Sequence, residues 1–418
     1  MIDRYFPCQR VRERIRSCGC GELLDEFAER LHRRGYASAT IRGGVWAVEH
    51  FATWLNGQKL KLHDATKDHV RSFLGDHLPV CRCPPPAPVG MYQVRPAINH
   101  LARMLRDRRA GSDGASAPPT PVDTELRQFR DHLRRVCGLA DSTCDGRVRF
   151  TREFLQARYR DGALHLDALK PGEVMAFVAG YAERCRRGTA QVAASSLRSF
   201  LRYLQFHGRC AETLIAAVPR IPNWRLSHVP KTMAEEQLQA FLESFDRTTS
   251  TGRRDYAMAL CQVVLGLRVS EVAALLLNDV AWHCGILRIE DGKGRKSREL
   301  PLTKRVGEAL AEYIRWGRPP TECRSVFIRH RAPRGAVSVS LVRGAMRLAF
   351  ARAPGCERWK GTHVLRHTAA TNLLQRGATL KEIADVLGHS CVETSTIYAK
   401  VNLPSLQAVA MPWPEVQQ

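Results

Sequence analysis

At 418 residues the chain is too long for one compact core and long enough for about two to four domains. Lys and Arg number 64 against 41 Asp and Glu, giving a net charge of +23 on a sequence that is 44% hydrophobic. This composition excludes a disordered polyelectrolyte, and it favours a folded protein whose positive field attracts phosphate polymers, arguing for nucleic acid over an acidic small molecule. No apolar run approaches the roughly 18 residues that cross a bilayer, and the start of the chain, with Asp3, Arg4, Arg10, Arg12 and Arg14, lacks a signal-peptide core. A cytoplasmic protein is expected, with its 14 Cys mostly free thiols.

In chain order, residues 1–110 read as an N-terminal helical domain, followed by a Gly, Ser and Pro-rich linker over 111–121. Residues 122–217 form a second helical domain, and a Pro-rich break over 218–231 precedes a C-terminal domain spanning 232–403 and a tail over 404–418. Thr232 and Glu235 have capping-box spacing and predict a helix start there. The first two domains match each other: Gly35 to Thr40 aligns with Gly138 to Thr143 at an offset of 103, and Ile98, Leu101 and Leu105 align with Leu197, Phe200 and Leu204 at an offset of 99. Both therefore read as small helical bundles, the first a possible duplicate of the second.

The C-terminal domain is mixed. Asp255 to Leu265 and Glu271 to Leu277 read as helices, whereas Ile286 to Ile289 and Arg298 to Leu302 read as strands around a Gly-Lys-Gly turn, with a further short strand at Val326 to Ile328. The fold class is mainly α with a small β-sheet.

Three motifs carry chemistry. His363 and Arg366 stand at i,i+3 and share a helix face, so two phosphate-binding groups converge. In Gly266-Leu267-Arg268-Val269-Ser270-Glu271, Arg268 offers a planar fork of donors that Glu271, three residues on, can orient. Leu387-Gly388-His389-Ser390 closes one helix, and Tyr398 follows nine residues later. No carboxylate cluster suited to Mg²⁺ accompanies them, which disfavours a two-metal nuclease.

Taken together, GLRVSE, GKGRKSRELPL, THVLRHTAATNLL, LGHS and TIYAKV resemble, in order and separation, the active-site segments of the tyrosine recombinases, the phage integrase and Xer family. The resemblance covers residues 232–403. It implies a site-specific recombinase that cuts and rejoins double-stranded DNA through a 3′-phosphotyrosyl intermediate, with Tyr398 as nucleophile, Arg268, His363, Arg366 and His389 around the phosphate, and Lys293 as general acid. Lys296 competes for that last role. No metal and no cofactor are implied. The same resemblance makes residues 122–217 a core-binding domain, with Arg147, Arg149, Arg198 and Arg202 as candidate phosphate contacts. It also implies a homo-oligomer, as a tetrameric synapse, or companion recombinases, near the bacterial nucleoid. The extra N-terminal domain favours a mobile-element recombinase, integrating, excising or transposing, over a chromosome-resolving one. A type IB topoisomerase and an idle DNA-binding relative are the alternatives, and His363 in the HxxR position favours a recombinase over the former.

Four thiols in two pairs, Cys18 with Cys20 and Cys81 with Cys83, form a candidate zinc set if the helices bring them together, free thiols being the plainer reading.

Overall fold

The computed structural model describes residues 1–17, 19–84, 87–88, 90–111, 120–159, 163–222, 230–290, 297–389 and 391–401. By contacts the chain divides into two compact units, Met1–Ser112 with Val229–Gln418, and Asp113–His228. It is mainly α with one small sheet, as the sequence predicts, and among the described residues no helix is long and apolar enough to cross a membrane.

The first 111 residues supply helices α1 (Ile2–Tyr5), α2 (Gln9–Ser17), α3 (Gly21–Arg33), α4 (Ser38–Gly57), α5 (Lys67–Ser72) and α6 (Met91–Gly111). Helix α4 exposes none of Ile41, Val45, Val48, Phe51 or Leu55, a stripe at helical spacing that packs against α3 and α6. Between α5 and α6 the chain makes a π-turn over Phe73–His77 and a 3₁₀ turn over Leu78–Val80.

The second unit contains α7 (Pro121–Arg135), α8 (Asp141–Tyr159), α9 (Pro171–Arg184), α10 (Arg187–Phe206) and α11 (Glu212–Ala216). Helix α7 starts sharply because Thr120 Oγ1 accepts the Asp123 amide at 3.1 Å and Pro121 occupies the first turn. Leu126, Phe129 and Leu133 meet Phe154, Leu197, Phe200 and Leu204 in its core. The two bundles share a local signature: Gly35 and Gly138 are both left-handed, at φ 73° and 61°, and each opens the turn into a long helix, α4 or α8.

From residue 230 onward the chain forms α12 (Glu235–Glu243), α13 (Ser250–Val263), α14 (Val269–Ala274), strands β1 (Val280–Ala281), β2 (Ile286–Ile289) and β3 (Arg298–Pro301), then α15 (Lys304–Trp316), α16 (Val339–Arg352), α17 (His363–Gln375) and α18 (Leu380–Leu387). Two 3₁₀ turns, Val392–Thr394 and Thr396–Val401, follow. Helix α13 is buried on every side from Ala257 to Val263 because α14, α15, α16 and α17 surround it. The sheet is antiparallel in the order β1, β2, β3, with Leu287 opposite Leu300 and Ile289 opposite Arg298.

Two local expectations differ. Helix α12 begins at Glu235 with Ala234, not Thr232, at its N-cap, the Gln237 side chain accepting the Ala234 amide at 3.3 Å, while the Met233 amide donates to Thr368 Oγ1 at 3.0 Å. Val326 to Ile328 is buried, yet the chain bends at Val326 and Phe327 and makes only isolated bridges, with Ser325 opposite Leu276 and Ile328 opposite Ala336, and so adds no strand.

Candidate active site

Glu271 is the centre around which the site is built. It lies at the third position of α14, where Oε2 accepts the Arg268 amide at 2.9 Å and closes the helix start. Its Oε1 accepts Arg268 Nη1 at 2.7 Å, while Arg298 Nη2 reaches Oε2 at 2.8 Å from the first residue of β3. Burial works to raise the Glu271 pKa, but the bonds from Arg298 and Arg268 outweigh it and hold the carboxyl below its usual range.

Two glycines let the arginines come close. Gly388 ends α18 in the left-handed region at φ 63°, its carbonyl accepts Arg268 Nη2 at 2.8 Å, and a Cβ there would stand 2.6 Å from Arg298 Nη1. Gly266, also at φ 63°, has no room for a Cβ, which would meet Leu387 Cδ2 at 2.5 Å. Its carbonyl takes Arg366 Nη1 at 2.6 Å, and Arg366 Nη2 reaches the Leu387 carbonyl at 2.5 Å. Arg366 is thus a buried clamp between the end of α13 and the end of α18. Burial, with Arg268 nearby, brings its pKa down to about 10, which leaves it fully charged at neutral pH.

Helix α18 is framed by a capping box, Thr379 Oγ1 accepting the Glu382 amide at 3.2 Å and Glu382 Oε2 accepting the Thr379 amide at 2.7 Å. That frame delivers His389 one residue past Gly388, with Nδ1 2.8 Å from Ser395 Oγ. The His389 ring lies nearly parallel to that of Tyr398, at 8° and 6.5 Å between centroids. Tyr398 is only 2% exposed and packs on Ala370, Ile383 and Leu387. Its hydroxyl lies 3.1 Å from His367 Nδ1. Burial raises the tyrosine pKa, with Arg366 and Arg268 opposing it. At the first turn of α17, partial burial of the His363 ring, then the Arg366, Arg343 and Arg268 charges, lowers its pKa.

The structure therefore brings together Arg268, Glu271, His363, Arg366, His389 and Tyr398. Two members of the cluster, Arg298 and His367, are not among the site residues the sequence predicts. Arg298 is a strand residue until the fold points it at Glu271, whereas His367 did leave a signal, standing four residues after His363 on the same helix face. Lys293, with its competitor Lys296, lies outside the described residues, as does the tail from 402.

Comparison with known proteins identifies the family. The sequence profile of the phage integrase family matches residues 231–403. Over 391 residues the chain is 36% identical to y4rA of Sinorhizobium fredii, named as an integrase/recombinase, covering 93% of each sequence. The chain belongs to the phage integrase family, the tyrosine recombinases. This recombinase is also 30% identical to the tyrosine recombinase XerD of Listeria monocytogenes, an alignment that spans 96% of XerD and 68% of the present chain. Its fold is similar to that of the site-specific recombinase XerH solved bound to a palindromic difH substrate, with a TM-score of 0.54, 19% identity, and coverage of 75% of this chain and 94% of that one.

The candidate contacts of the second unit differ in their freedom. Arg202 is exposed, and Arg149 lies exposed over the Phe150 ring at 4.4 Å. Arg147 donates to Ser199 Oγ at 2.6 Å. Arg198 is committed to the Val218 and Pro219 carbonyls at 3.2 and 3.3 Å, an anchoring bond at the end of the domain.

The histidines of the candidate site set a pH dependence. Burial, then the Arg366 and Arg268 charges, lowers the His389 pKa to about 4, and those of His363 and His367 are lowered in the same direction. The folded site thus binds fewer protons than the unfolded chain between the ordinary histidine value of 6.5 and about 4. Stability contributed by neutral His389 is complete above 6.5 and is lost as the pH falls through about 4. Urea midpoints should fall from pH 7.5 to pH 5, and His389→Asn should flatten that slope; an equal slope in the variant would show that His389 is not the responsible group.

Proposed function

We propose that this recombinase cleaves and rejoins double-stranded DNA through a covalent 3′-phosphotyrosyl intermediate, working as an oligomer on paired sites of a mobile element. The observation that carries the reading is the hydroxyl of Tyr398 held 3.1 Å from an imidazole beside the paired charges of Arg268 and Arg366.

In the attack, Tyr398 Oη forms a bond to the scissile phosphorus and the 5′ oxygen leaves. The phenol, raised in pKa by burial, needs a base at neutral pH, and His367 Nδ1 is the group within hydrogen-bond reach. Its lowered pKa keeps the imidazole neutral and able to accept the proton. Arg268 and Arg366 stabilise the charge that builds on the non-bridging oxygens, with His363 and His389 as further donors. Lys293 supplies a proton to the 5′ oxygen. Rejoining reverses these steps, and the phosphotyrosyl bond conserves the energy for it, so no cofactor enters.

DNA as the substrate is supported by the net charge of +23 and by the family's members, among them XerH bound to difH. A mobile-element role is supported by the whole-length match to y4rA and by the 112-residue segment that precedes the second unit, since a XerD aligned over 96% of its own length covers only 68% of this chain. The shared turns at Gly35 and Gly138 support reading that segment as a duplicated core-binding bundle ahead of the one at 122–217.

The deciding experiment is covalent trapping. Incubated with a nicked duplex carrying its recombination site, from which the short 5′ fragment diffuses away, the protein should accumulate as a denaturant-stable adduct on the 3′ end. A 5′-linked adduct, or none on any duplex drawn from the DNA flanking the gene, would contradict the assignment.

A further inference from the structure

A second cluster of chemistry-bearing side chains lies far along the sequence from the recombinase residues, in the bundle of α1 to α6. His50 projects from the buried face of α4 and is 4% exposed. His77 closes the π-turn, and Cys81 and Cys83 flank Arg82 in the segment that leads to α6. One ligand atom from each of these four residues falls within 4.8 Å of the other three.

The spacing is that of a coordination shell. His50 Nε2 lies 3.2 Å from His77 Nε2, Cys81 Sγ lies 3.3 Å from His50 Nε2, and Cys83 Sγ lies 3.8 Å from His77 Nε2. A tetrahedral zinc with bonds of about 2.05 Å to nitrogen and about 2.3 Å to sulfur requires edges of about 3.3 Å between nitrogens and about 3.6 Å between nitrogen and sulfur. The observed edges sit on and either side of those values. Two imidazoles and two thiolates around Zn²⁺ also sum to zero charge, so the complete site can be buried without an unpaired ion.

The surroundings orient the ligands for this. His50 Nδ1 stands 3.2 Å from the Pro88 carbonyl, a bond in which only an N–H can take part, and this leaves Nε2 without a proton and aimed at the cluster. The Cys83 amide donates to Cys81 Sγ at 3.3 Å, as amides do toward a metal-bound thiolate. The Phe73 ring packs at 5.2 Å from His50 and 5.3 Å from His77, an apolar wall on one side of the cluster.

We propose that His50, His77, Cys81 and Cys83 bind a structural zinc ion that fastens α4 to the segment between α5 and α6. This replaces the four-thiol set suggested by the two CxC pairs: Cys18 lies outside the described residues, and Cys81 and Cys83 find two histidines instead. The linkage spans 31 residues from His50 to Cys81, so it restricts a long stretch of the unfolded chain as well as holding the folded one. The segment it pins makes one π-turn and one 3₁₀ turn in succession, too little regular hydrogen bonding to fix its own path.

The test uses the full-length, untagged protein. Elemental analysis should find one zinc per chain, and replacing it with Co²⁺ should give the visible absorption of a tetrahedral site together with sulfur-to-metal charge transfer. The double variant Cys81→Ser, Cys83→Ser should lose at least nine-tenths of the metal, whereas Cys20→Ser should keep it. Should the double variant fail to fold, the wild type still decides: alkylation followed by mass spectrometry should label Cys81 and Cys83 only after a chelator is added. Metal-free protein that gives no tetrahedral cobalt spectrum would overturn the proposal. So would equal labelling of both cysteines with and without chelator, or full zinc content in the folded double variant.

Discussion

In Tyr398→Phe, the covalent adduct with nicked DNA is expected to fall to background while binding to the same duplex changes by less than about threefold, roughly 0.6 kcal/mol. The substitution removes one oxygen from a side chain that packs on Ala370, Ile383 and Leu387, and the ring itself continues to fill that pocket. Stability should drop by only about 1 kcal/mol, the worth of the lost bond to His367. A gel that separates adduct from free DNA, read beside a binding titration, checks both halves. His367→Gln should slow adduct formation without abolishing it, and most strongly at low pH, where the remaining ways of removing the phenol proton are slowest. An adduct that persists in Tyr398→Phe would move the nucleophile to another residue.

The second large effect is expected at Glu271. Arg298 is only 11% exposed and Arg268 33%, and the carboxylate is the anion both of them share. Glu271→Ala strands two guanidiniums at a largely buried position, and removing one partner of such a pair costs about 3–5 kcal/mol. It also frees Arg268 to leave the orientation in which Nη2 meets the Gly388 carbonyl, so single-turnover cleavage should fall by about 10²-fold or more. Glu271→Gln keeps an acceptor for the Arg268 amide and should fall between the two proteins. Denaturant unfolding and quenched single-turnover cleavage separate the contributions. A Glu271→Ala protein that is destabilised yet cleaves at the wild-type rate would reduce the residue to a purely structural role.

Much of the catalytic half was legible because its parts are local. Strands Ile286–Ile289 and Arg298–Pro301 follow from alternating apolar positions around a glycine-flanked turn, and Glu271 announces itself three residues after Arg268. What escaped depends on contacts that no short window holds. Arg298 meets Glu271 across 27 residues, and His50 meets Cys81 across 31, so only the folded chain reveals either pairing. Val326 to Ile328 has the apolar run of a strand, but it lies buried between Leu275 and Val337 with too few partners for a ladder. The sequence pairs the CxC at Cys81 and Cys83 with the other CxC, whereas in the structure its neighbours are His50 and His77, the latter four residues upstream of Cys81.

The burial of Tyr398 bears on the safety of the chromosome. A surplus of 23 positive charges favours phosphate contacts that carry no sequence information, and a recombinase confined to its own site would have to leave such DNA uncut. Tyr398 is 2% exposed with its hydroxyl against His367, so under the proposed mechanism the nucleophile would be sequestered at rest. Under that mechanism strand breakage would wait on a rearrangement of the 3₁₀ segment Thr396–Val401, with the energy for the displacement drawn from contacts made at the proper site. Fidelity would then be set by when the tyrosine is released rather than by where the protein lands.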